Sequence, residues 1–144
     1  MGTRSLTRFI ETYELKYKNG KKKIVSKPIT CVYRQYDGYP DGHGKELADF
    51  LNSGEMVNGI GSTDKRVFNG LGCLAAQFIK EFKDGAGNIY IHEPDSKDCW
   101  EQYVYEVIYN FDTKELKLTC YDVYDKRFLF EGNPKEFYTI LETA

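Results

Sequence analysis

Apolar and polar residues alternate along the first part of the chain. Phe9, Tyr13, Leu15 and Tyr17 are interleaved with Thr12, Glu14, Lys16 and Lys18. A period of two predicts a strand with one buried face. Asn19-Gly20 follows, the strongest two-residue hairpin signal, because both positions accept positive φ. The return strand is expected from about Ile24 to Gln35, with Ile29, Cys31 and Tyr33 on one face and Thr30, Val32 and Arg34 on the other. Pro28 has no N–H to donate to a ladder, so a bulge or an edge is expected there.

The period then lengthens. Leu47, Phe50 and Leu51 have helical spacing and predict a short helix over 44–53, stopped by Asn52-Ser53-Gly54. A loop is expected from Glu55 to Asn69. Leu71, Leu74, Ala75, Phe78, Ile79 and Phe82 then form one continuous apolar stripe at helical spacing. Lys80 and Lys83 sit near its end, where cations are favoured, and the run from Asp84 to Asn88 terminates it.

Four further strands are expected at Ile89–His92, Gln102–Asn110, Glu115–Tyr124 and Arg127–Phe130, joined by turns short enough for an antiparallel meander. Asn133, Pro134 and Glu136 are placed as N-cap, N1 and N3 of a final helix with Phe137, Ile140 and Leu141 on its apolar face. The order is ββααββββα. Strands do not alternate with helices, so the pattern predicts an α+β domain, a mainly antiparallel sheet of about six strands with helices on one face. No repeat, low-complexity segment or linker divides residues 1–144.

Composition narrows the class. The chain has 144 residues, 41% hydrophobic and 29% charged, which excludes a disordered chain. No apolar run is long enough to span a membrane as a helix. The opening MGTRSLTRFIETYE lacks the apolar core of a secretory signal, so a cytoplasmic protein without membrane partners is expected. The four cysteines, Cys31, Cys73, Cys99 and Cys120, form no CxxC pair and read as free thiols. Aromatic residues reach 15%. Most fall on strand faces and helix stripes, and those left over are Tyr36 and Tyr39.

The near-neutral total, −2, conceals an asymmetry. Residues 1–36 carry nine Lys/Arg against two Asp/Glu, and residues 37–144 carry eleven against twenty. Lys18, Lys21, Lys22 and Lys23 cluster at the hairpin turn. Such lysines keep an exposed ribbon soluble and blunt its edge. On that reading nucleic acid is not the expected partner.

The chemistry-bearing residues gather between Gly38 and Gly72, where eight of the thirteen glycines lie. Three clusters stand out: Gln35 to Gly44, Asn58 to Ser62, and Asn69 to Cys73. Two of them lead into predicted helices, where backbone N–H groups favour anions. The alternative is that these glycines only make tight turns and close packing. If they form a site, its expected members are Arg34, Tyr36, Asp37, Gly38, Tyr39, His43, Gly44, Lys45, Asn58 and Asn69, holding an anionic small molecule. No P-loop or dinucleotide fingerprint is present, and no cofactor is expected. Asp37 and Asp41 lack the calcium-loop frame, so no metal is expected either. A hydrolase or nuclease would have to use Asp37 and His43, with His92 as a second acid/base group. Cys73, near a helix start, is the candidate thiolate. A third alternative is a protein-interaction or virion-associated module with tyrosines at its interface. The sequence leaves homo-oligomerisation open.

The opening Met1-Gly2-Thr3-Arg4-Ser5, the run from Tyr33 to Pro40 with Gly42 and Gly44, Asn58-Gly59, and Gly72 to Gln77 together resemble a family of small proteins from bacteriophages, larger viruses and environmental genomes. The resemblance covers most of residues 1–109. The family has no established activity. It implies a viral or mobile-element origin, and hence a virus-encoded accessory protein working in the host cytoplasm, rather than a mechanism.

Overall fold

A computed structural model describes residues 2–57 and 66–142. Its centre is a six-stranded sheet. The hairpin forms as the alternation predicts, from β1 (Ser5–Lys16) and β2 (Lys22–Arg34). Pairing shifts register between Phe9 and Ile10, which face Thr30 and Pro28, so Ile29 is the extra residue of a bulge beside the proline. Next come a single π-turn at Pro40–Gly44, α1 (Lys45–Asn52), β3 (Gly54–Val57), β4 (Arg66–Asn69) and α2 (Gly70–Phe82). Then follow β5 (Ile89–His92), β6 (Tyr103–Asn110), β7 (Glu115–Asp122) and β8 (Arg127–Gly132). A 3₁₀ turn at Pro134–Glu136 and α3 (Thr139–Glu142) complete the described chain.

The α+β class and the helices on one face are as expected. Four details differ. The spatial order is β5-β2-β1-β6-β7-β8, so β5 leaves the expected meander and pairs with β2 at the opposite edge. The sheet is mixed, because β1 and β6 run parallel from Ser5 opposite Tyr103 to Thr12 opposite Asn110. The stretch expected to be a loop from Glu55 to Asn69 contributes β3 and β4, a separate parallel pair. The final helix is broken. Asn133 accepts from Lys135 N at 2.7 Å as a cap should, but tight bonds such as Phe137 N to the Pro134 carbonyl (3.3 Å) replace a regular helix and drop Phe137 fully into the core.

Side-chain alternation explains the layers. Thr7, Phe9, Val32, Tyr105, Val107 and Leu118 point to the helical face and are buried there with Leu47, Phe50, Leu74 and Phe78. Leu6 and Cys31 point the other way and are also fully buried. The segment between β5 and β6 reaches this second face, where Arg8 donates from Nη2 to the Ser96 carbonyl at 2.7 Å and from Nη1 to Glu106 at 3.2 Å. The central strand β1 is therefore covered on both sides, as its near-continuous burial from Ser5 to Ile10 requires.

Candidate functional site

The site region begins where β2 ends. Asp37 sits at φ 58°, a left-handed turn that reverses the chain after Tyr36. The turn is held by its own polar groups: His43 N donates to the Asp37 carbonyl at 2.7 Å and Tyr39 Oη to Asp37 Oδ1 at 3.0 Å. Gly38 is held on both sides, its N–H to the Thr3 carbonyl just before β1 at 2.9 Å and its carbonyl to the hydroxyl of Tyr105 on β6 at 2.7 Å. Gly44 lies against the core. A Cβ there would stand 2.7 Å from Phe137 Cζ and 3.1 Å from the Tyr105 ring. The first glycine cluster is thus packed inward, its glycines chosen by close approach.

His43 is completely buried among Phe78, Phe82 and Tyr105, whose ring centroids lie 5.9, 5.6 and 5.2 Å away. Its Nδ1 is 2.9 Å from Arg34 Nη1 and its Nε2 is 2.7 Å from Thr7 Oγ1. Burial, reinforced by the Arg34 charge, pushes its pKa down to about 3. Arg34 in turn donates from Nε to the Tyr36 carbonyl at 2.8 Å and from Nη1 to Glu46 Oε2 at 2.5 Å. Its guanidinium also lies 5.8 Å from the Tyr36 ring centroid. A buried histidine therefore positions an arginine, and the arginine carries that order to the surface.

The surface it reaches is a cleft of about 490 Å³ between α1, the end of α2 and the β2 exit. Arg34, Tyr36, Phe50, Phe82 and Arg66 are all part of its lining. Arg66 is fixed as well, bonded to Glu81 at 2.7 Å and Ser53 Oγ at 3.0 Å, with its guanidinium 5.3 Å from the Phe50 centroid. Glu46, Asp49, Glu81 and Asp84 bring four carboxylates to the same lining, against two arginines.

Of the expected site residues, the fold brings Arg34 and Tyr36 into this cleft. His43 lies beneath it in the Arg34 network. Gly38 and Gly44 are buried, Lys45 is exposed at the start of α1, and Asn69 is exposed at the β4–α2 junction. Asp37 and Tyr39 bond each other at the surface. Tyr39 lines a second, more apolar cleft of about 560 Å³ with Asp41, Tyr103, Arg127 and Leu141. Asn58, and with it the second glycine cluster, lies outside the described residues. Glu46, Arg66 and Glu81 are not among the residues that the sequence singles out. Glu81 is three residues past Phe78, on a helix whose apolar stripe was legible, but nothing in the sequence aims Arg66 across at it.

Asp37 and His43 are backbone neighbours, but the Asp37 carboxylate is engaged by Tyr39 at the surface while the His43 ring is buried, and the second histidine lies elsewhere. His92 pairs with Cys31 on the face opposite His43, stacked on Tyr33 with centroids 5.2 Å apart. Its Nδ1 is 3.6 Å from Cys99 Sγ, whose pKa is raised by burial and by Glu101 and Asp98, the reverse of an activated thiolate. Cys73 Sγ accepts from its helix neighbour Gln77 at 3.3 Å. Among the described residues no three His, Cys, Asp or Glu side chains are grouped so as to hold a metal ion, and no helix is long and apolar enough to cross a membrane. Comparison with protein-family models, curated proteins and solved structures found no match, so the reading of the cleft rests on its own residues.

Proposed function

We propose that the protein is a virus- or phage-encoded accessory protein that binds a small ring-bearing anion at the Arg34–Arg66 cleft without transforming it. The observation that carries this reading is the pair of pre-ordered guanidinium groups interleaved with Tyr36, Phe50 and Phe82 around about 490 Å³. Arginine held by a carboxylate keeps donors free for a second acceptor, and aromatic faces take a planar ring. Glu46 and Glu81 are half-exposed partners that an incoming anion can displace. The four carboxylates restrict the ligand's charge. They disfavour a triphosphate and leave acceptors for ring amino groups. A cyclic nucleotide or nucleoside monophosphate meets both conditions.

Thermal stability measured with a panel of nucleosides, mononucleotides, cyclic mono- and dinucleotides and triphosphates tests this. A cyclic mononucleotide or a nucleoside monophosphate is expected to raise the melting midpoint and to be recovered unchanged by chromatography, and Arg66→Gln is expected to remove the shift. No shift across the panel overturns the reading. Turnover of a bound ligand would overturn its non-catalytic part.

A further inference from the structure

The hairpin tip has a different chemistry from the cleft. Sheet pairing of β1 with β6 ends at Thr12, and β5 covers β2 only from Cys31 to Arg34. The ribbon from Tyr13 to Lys27 therefore extends with no strand on either side among the described residues. Tyr13 to Lys16 pair with Val25 to Lys22, four pairs or roughly 13 Å at about 3.4 Å per residue. The turn adds to this reach. The base is anchored, since Glu14 N donates to Asp112 Oδ2 at 2.7 Å.

This ribbon holds six lysines and one acid, Glu14, a net charge of +5, while the rest of the chain amounts to −7. Among the described residues Lys22 is the one lysine of the ribbon with a carboxylate within 4.0 Å, Glu14 at 3.7 Å, and Lys27 lies opposite Glu11 where the ribbon joins the sheet. The lysines point in both directions. Lys23 and Lys27 share a face with Leu15 and Val25, Lys16 and Lys22 share the other with Ile24, and Lys18 and Lys21 flank the turn. Ile24 is 75% exposed.

Against the sequence expectation that these lysines only keep the ribbon soluble, we infer that this ribbon is a nucleic-acid-binding arm that enters a groove of duplex DNA and neutralises phosphates on both walls. A two-stranded ribbon fits a major groove about 12 Å wide. Charge on both faces suits a partner with two anionic walls, whereas a membrane surface calls for cations at one level and an apolar face beneath them. Lysine without arginine supplies point charges for phosphates and no bidentate fork for base edges, so binding is independent of sequence. The acidic body is repelled by the same polyanion, which confines contact to the arm.

Fluorescence anisotropy with two labelled 24-base-pair duplexes of unrelated sequence tests the arm. Both are expected to bind equally at 50 mM salt. Affinity is expected to fall about 100-fold at 200 mM, as roughly four neutralised phosphates require. The variant K18Q/K21Q/K22Q/K23Q is expected to lose at least 30-fold at 50 mM with an unchanged circular dichroism spectrum. Failure to bind either duplex, or equal binding by the variant, overturns the inference. Tighter binding to phosphatidylserine vesicles than to the duplexes overturns it in favour of a membrane surface. A salt-sensitive dimer that the variant abolishes, without duplex binding, overturns it in favour of a second copy of the chain.

Discussion

Arg34 Nη1 lies 2.9 Å from His43 Nδ1, and that contact decides the state of the histidine. Guanidinium only donates, so Nδ1 must accept and the imidazole proton must sit on Nε2, where it is given to Thr7 Oγ1 at 2.7 Å. His43 is expected to appear as the neutral Nε2–H tautomer in long-range ¹H–¹⁵N spectra at pH 6. A protonated ring there would refute the arrangement. His43→Ala strands Thr7 and Arg34 in a packed layer. It is expected to cost about 3 kcal/mol of unfolding free energy, read from urea titration.

The same burial gives the fold a pH dependence with a definite sign. A histidine in the unfolded chain titrates near 6.5 and His43 in the fold at about 3. Between those values the unfolded state holds the extra proton, so stability rises with pH. The contribution is complete above about pH 6.5 and is lost as pH falls toward 3, at up to about 1.4 kcal/mol per pH unit. Urea midpoints at pH 7.5, 5.5 and 4.5 should fall more steeply for the wild type than for His43→Gln. Parallel slopes would show that the carboxylates alone carry the acid sensitivity.

Two glycines from the same sequence region should respond oppositely to alanine. Gly44→Ala drives a methyl to 2.7 Å from Phe137 and 3.1 Å from Tyr105, buried rings with no room to retreat, and is expected to destabilise by about 2 kcal/mol. Gly72, inside α2, has open space at its Cβ position. Its replacement by alanine should stabilise by about 0.5–1 kcal/mol through helix propensity and a less flexible unfolded chain. Thermal melts of the two variants check the pair. A destabilised Gly72→Ala would mean that the helix start tolerates no side chain.

How legible these features are in the sequence depends on the range of the interactions behind them. The hairpin, the bulge at Pro28 and the stripe from Leu71 to Phe82 are set by neighbours a few residues away, and they are where the pattern puts them. The placement of β5 beside β2 and the parallel pairing of Ser5–Thr12 with Tyr103–Asn110 depend on partners far along the chain, which local alternation does not encode. β3 and β4 escape notice because each is four residues long and is stabilised by its partner. The cleft follows the same rule. Arg34 and Tyr36 stand out beside a glycine loop, but Arg66 and Glu81 join them only once α2 is docked. His43 is conspicuous as one of two histidines, yet its role depends on Thr7, 36 residues earlier.

The thiols give a test of the layered packing as a whole. Cys31 and Cys120 are fully buried on opposite faces of the sheet, and desolvation pushes their pKa values to about 11 and about 12. Neither forms thiolate at pH 8, and neither can be approached by a reagent without local opening. Cys73 and Cys99 are partly exposed. A colorimetric disulfide reagent at pH 8 is therefore expected to modify two thiols in the native protein and four in denaturant. Cys99 should react slowly for its exposure, because burial and the neighbouring carboxylates of Glu101 and Asp98 hold its pKa up. Replacing Glu101 by glutamine removes a carboxylate that raises it. It also alters the acceptor for the Asp98 and Cys99 N–H groups, at 3.0 and 2.8 Å. Both effects should speed Cys99 modification while leaving Cys31 protected. If Cys31 became reactive together with Cys99, the segment between β5 and β6 would be opening as a unit and exposing the second face of the sheet.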